Sequence, residues 1–101
     1  METNPDYWCI FKIPNKEPIY KVFATWKGGY GGSDSWQANS GIAHVIDKET
    51  HYEIVGFSGS IYKCYKTAYG TTSYGDNILV YAGIVPMIEE DAINVLKSYI
   101  K

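Results

Sequence analysis

Cys64 and His44 are the two side chains of this sequence best suited to do chemistry together. A thiol with an imidazole in reach makes a nucleophile and its base, and Asp47 or Glu53 could orient the ring. Both residues fall in stretches that read as β, so adjacent strands could bring them together. Their flanks favour a plainer role. Cys64 sits in an alternating IYKCYK segment where a small buried thiol is ordinary, and His44 lies between Ala43 and Val45. A nucleophile elbow needs glycine two residues after its serine, and GFSGS has Ser60 there. Cys9, His44, His51 and Cys64 together have no spacing that matches a zinc finger or ribbon. The acidic triplet Glu89–Asp91 is explained by a helix N-terminus without invoking a metal. The sequence therefore leads us to expect no catalytic residue, no metal and no cofactor.

The glycine-rich stretch KGGYGGSDSWQANSG, Lys27 to Gly41, invites a phosphate-binding reading. A Walker loop requires a lysine and a hydroxyl after the last glycine, whereas Lys27 precedes the run. A dinucleotide fingerprint requires a third glycine opening a helix, and the residues after this run read as β. Glycines at these positions suit a long connection between strands. They do not account for Tyr30 and Trp36. Large aromatics among Gly, Ser, Asn and Asp have the make-up of antibody binding loops, rigid anchors in an adaptable polar frame. Thr67–Asn77 has the same character, with Tyr69 and Tyr74. The expected protein-binding residues are Tyr30, Asp34, Trp36, Gln37, Asn39, Tyr69 and Tyr74.

Composition narrows the partner. The chain carries a net charge of −2, from nine lysines, eleven acidic residues and no arginine. Arginine is the residue that reads phosphate and guanine edges with two hydrogen bonds, so its absence argues against a nucleic-acid face. The alternative for single-stranded nucleic acid rests on IYKCYK, where Lys63 and Lys66 interleave with Tyr62 and Tyr65. The opening METNPDYW has no basic segment leading into an apolar run, and no stretch has the roughly 20 apolar residues of a membrane span. Two cysteines with no CxxC suggest reduced thiols in a cytoplasmic protein, though the sequence leaves open whether Cys9 and Cys64 meet.

The elements that must position these residues are mostly strands. YWCIFKI, PIYKVFATWK and the two halves of GIAHVIDKETHYEIVGF read as strands, the last pair as a hairpin about the polar DKET turn. Residues 61–69 fit either a strand or a helix capped by Ser60 and Gly70, with strand preferred for its β-branched and tyrosine content. DNILVYAGIV, bounded by Gly75 and Pro86, reads as a buried strand. At the C-terminus Ile88, Ala92, Val95, Leu96 and Tyr99 recur on one helical face, predicting a helix from about Met87 to Ile100 with Pro86 at its start. The whole predicts one α+β domain over residues 1–101: an antiparallel sheet of five or six strands with the C-terminal helix on one face. The function expected of it is binding without catalysis. A small, acidic, tyrosine-rich domain suits an inhibitor with which a phage or mobile element blocks a host defence enzyme or nuclease complex. The same aromatic surface would also serve a homodimer, and a small Cys/His enzyme is the remaining alternative.

Overall fold

The computed structural model describes residues 2–28 and 34–100. Its elements are β1 (Glu2–Thr3), β2 (Tyr7–Ile13), β3 (Ile19–Trp26), β4 (Ser35–Ala38), β5 (Ile42–Asp47), β6 (His51–Gly56), β7 (Ile61–Tyr65), α1 (Ser73–Ala82) and α2 (Glu89–Ser98). The fold is α+β, as expected, but it has two sheets where the sequence suggested one. β2, β3 and β4 form an antiparallel three-stranded sheet. β5, β6 and β7 form a second meander, extended by a short parallel β1 in the order β1-β7-β6-β5. The Ile42–Phe57 hairpin forms as predicted, with a register shift between Ile42 and His44. Residues 61–65 are strand.

Two sheets form because each buries a different face. In β2 and β3, Trp8, Ile10, Val22 and Ala24 point towards the second sheet, where they meet Val45, Ile54, Tyr62 and Cys64 in the larger core. The opposite, alternating set of Cys9, Phe11 and Phe23 packs on Leu79 of α1. The three-stranded sheet is thus apolar on both faces. Its outer β2 edge is closed by chain: Trp8 N–H donates to Ala68, Gly70 N–H donates back to Trp8, and Met87 N–H donates to Ile10. α2 adds Ala92 and Leu96 to the larger core, and Val45 N–H donates to the Tyr99 carbonyl just beyond it.

The DNILVYAGIV segment departs from expectation. It is a helix, not a buried strand, and local signals account for it. Thr72 is an extended N-cap whose hydroxyl accepts from Gly75 N–H at 3.0 Å. Gly83 stops the helix in the left-handed region, with its N–H on the carbonyls of Leu79 and Val80. Gly75 also lets α1 lie close on the sheet, since a Cβ there would meet Thr71 Oγ1 and lie 2.7 Å from Thr25 Cγ2. The C-terminal helix is shorter than expected. It begins at Glu89, so Pro86 lies outside its first turn. Ile88 caps it without a side-chain bond, and Glu89, Glu90 and Asp91 offset the exposed amides. No helix among the described residues is long and apolar enough to cross a membrane.

Candidate binding surface

The sheet's outer face is longer than the helix that covers it. Ten helical residues span about 15 Å, against about 26 Å for the eight residues of β3. α1 seals the part of the face around Thr25, Phe23 and Cys9. What it leaves is an apolar groove of about 280 Å³, floored by Phe11, Ile13 and Phe23 and walled by Trp36 and Ala38 on one side and Ile78, Ala82 and Ile84 on the other. Lys21 is the one charged residue lining it.

Trp36 reaches this groove because strand alternation puts it there. Its cross-strand partner is Thr25, and Phe23 pairs with Ala38, so Trp36 and Ala38 share the α1 face of the sheet. The indole stacks on Phe23 with ring centres 5.4 Å apart and planes 17° from parallel, yet Trp36 remains 45% exposed. On α1, Tyr74, Ile78, Tyr81 and Ala82 fall at i, i+4, i+7 and i+8 and form one stripe. Ile78 and Ala82 line the groove, so the two exposed tyrosines flank it. Beyond them runs Val80–Ile88, nine residues without a charge. Within it Tyr81 is 97% exposed, Val85 85%, Val80 78% and Ile88 66%.

The residues expected from sequence divide around this surface. Trp36 and Tyr74 lie on it. Tyr30 lies outside the described residues. Asp34 Oδ1 accepts from Gly28 N–H at 2.6 Å and lines a separate polar pocket with Tyr7, Lys27 and Thr71–Ser73. Gln37 is exposed, but it pairs with Ala24 and so points to the opposite face from Trp36. Two others, Asn39 and Tyr69, have side chains engaged within the fold. Asn39 is buried, and its Oδ1 accepts from Val22 N–H at 2.9 Å, continuing the β3–β4 pairing where the strand ends. Tyr69 lies edge-on to Trp8 at 4.9 Å; its hydroxyl accepts from Ile10 N–H and donates to the Met87 carbonyl at 2.6 Å. Sequence reasoning misses Tyr81, Val80 and Val85 because their segment has the make-up of a buried strand. The Thr72 and Gly83 caps are the signal that could expose them.

The chemical alternatives find less support in the geometry. Val45 and Cys64 belong to the core between the sheets, and alternation turns His44 to the other face, away from Cys64. Asp47 is engaged by Lys66 Nζ at 2.7 Å, and Glu53 lies 3.6 Å from His51. No cluster of three or more metal-ligating side chains occurs among the described residues. Cys9 and Cys64 are free thiols in different cores, on opposite faces of the three-stranded sheet. Burial, with a smaller contribution from Asp76, pushes the Cys9 thiol up to about 12, and burial drives Cys64 higher still. The folded protein should therefore resist iodoacetamide at pH 7.5 for hours and take up two equivalents at once in denaturant. Rapid labelling of Cys64 in the native state would revive the nucleophile. In IYKCYK, Tyr62 and Cys64 point inward, which leaves Tyr65, with Lys63 Nζ 5.3 Å from its ring centre, as the aromatic on the open face.

No protein-family model matches this chain, and no curated protein or solved structure matches it either.

Proposed function

We propose that this protein is a small non-enzymatic protein-binding module whose contact surface is the α1 groove and its aromatic rim. The observation that carries the reading is the Val80–Ile88 run: nine uncharged residues, four of them largely in solvent, beside an apolar groove. A folded chain does not gain by presenting such a run to water, and contiguous exposed apolar surface of this kind marks interaction sites. Tyr and Trp at the rim are the residue types that dominate binding energy in protein interfaces. The narrower reading, an inhibitor made by a phage or mobile element against a host defence complex, draws on small size, acidity and tyrosine content.

A photoreactive phenylalanine analogue placed at position 81 tests the surface in cells. It should form a discrete protein adduct, while the same analogue at exposed Lys16, on the β2–β3 turn, should not. Trp36→Ala should weaken the adduct about 30-fold, corresponding to about 2 kcal/mol for a hot-spot aromatic, without loss of the folded circular dichroism spectrum. Equal labelling from positions 81 and 16 would remove the reading.

A further inference from the structure

We infer that the partner occupying the α1 groove is a second copy of this chain, held by a two-fold contact in which Tyr81 of each copy enters the groove of the other. This deepens the binding-module reading and rests on it.

Three features of the surface select a second copy. The first is that projection and recess lie on the same patch. An isologous contact requires self-complementarity, because whatever residue i touches must touch residue i in return. Tyr81, the most exposed large hydrophobic side chain among the described residues, stands on the helix whose Ile78 and Ala82 wall the recess. A helix that supplies both parts satisfies that requirement with one element. The second is size. A recess of about 280 Å³ falls just below the roughly 300–1,000 Å³ of sites that enclose a drug-sized ligand, and its apolar lining suits an aromatic side chain. The exposed apolar surface of Trp36, Tyr74 and Tyr81 beside the recess, with Val85 and Ile88 further along the chain, is on the order of 500 Å². That is within the range of a monomer's largest patch and more than half of the ~800 Å² per partner of a stable interface.

The third feature is charge. A chain with net charge −2 repels its own copy unless the contact excludes like charges. Residues 77–88 carry none, and the groove is lined by Lys21 and no acidic residue. Two copies thus meet over a recess and a helix segment free of acidic side chains. The open face of the other sheet differs, since the charged Lys63 and Glu53 are cross-strand neighbours there.

Sedimentation equilibrium of the purified full chain decides the matter. The wild type should sediment as a dimer at 100 µM. Tyr81→Glu, at a position that contributes nothing to the core, should shift the dissociation constant upward at least 100-fold and leave the thermal melt of the monomer unchanged. Lys63→Glu, on the other sheet, should leave the dimer intact. A wild type that is monomeric at 500 µM overturns the inference, as does a dimer that survives Tyr81→Glu. The adducts formed from position 81 separate the two readings. A monomeric chain that cross-links to a different protein overturns the dimer but keeps the binding module, and a monomeric chain with no adduct removes both.

Discussion

Trp8→Ala is expected to lower the unfolding free energy by roughly 3–5 kcal/mol, the cost of emptying a fully buried aromatic site that cannot collapse. Trp8 is fully buried and joins three parts of the chain. Its ring meets Tyr69 and Tyr52 edge-on, at 4.9 and 6.3 Å. Its Nε1–H donates to the Tyr65 carbonyl at 2.7 Å, and its backbone holds the 68–70 segment to β2. A domain of this length has only about 5–15 kcal/mol in total, so the variant should be largely unfolded in mild urea. Trp8→Phe keeps most of the ring volume but leaves the Tyr65 carbonyl with the Ala68 N–H alone, and should cost roughly 1–2 kcal/mol. Trp36→Ala, on the half-exposed surface, should cost under about 1 kcal/mol. Urea midpoints measured for the three variants check the order. A Trp8→Ala protein as stable as Trp36→Ala would mean that the core is not centred where we place it.

Tyr69→Phe should be the second largest effect, at roughly 2–4 kcal/mol, although it removes one atom. The hydroxyl closes two backbone groups at once, the Ile10 N–H and the Met87 carbonyl, and both lose their partner. These bonds fasten the chain leading out of β7 and the chain leading into α2 onto the same strand. The penalty should depend on pH in a defined direction. Burial raises the Tyr69 hydroxyl from 10.0 to about 12, against a smaller lowering by the Ile10 N–H. A raised folded value means that the folded state holds its proton while the unfolded chain releases it. The stability from this group is therefore fully present below pH 10 and is lost as pH rises towards 12. The gap between wild type and Tyr69→Phe in denaturant midpoint should narrow from pH 9 to pH 12. A gap that widens with pH would show that the hydroxyl is not buried as described.

The strands were legible because their signals are local. Period-two alternation in Tyr20–Lys27 and the polar turn between Ile46 and Tyr52 sufficed to predict β3 and the β5–β6 hairpin. The C-terminal helix was legible from its apolar stripe. Its first turn was misjudged because Pro86 has the preferred chemistry of a helix start and yet lies in the 84–88 segment between the helices, which bonds to β2 through Met87 N–H and the Ile10 carbonyl. The α1 segment failed for a different reason. ILVYAGIV has β-branched and aromatic content that periodicity cannot separate from a buried strand. The decision fell to the Thr72 cap, the left-handed Gly83 and a close approach at Gly75 that no sequence window contains.

The candidate surface divides along the same line. The amino-acid sequence alone establishes an aromatic-rich, arginine-free α+β chain with Trp36 and Tyr74 among small polar residues, because composition and short-range spacing are properties of neighbours in the chain. It does not say which tyrosines face water. Tyr69 and Tyr74 are five residues apart in similar company, yet one is bonded into the core and the other stands at the rim of the groove. Burial is settled by what packs across from a residue, and here that is a ten-residue helix laid over a longer sheet. Only the tertiary structure decides how much of that sheet the helix leaves uncovered, and so where the groove and its rim lie.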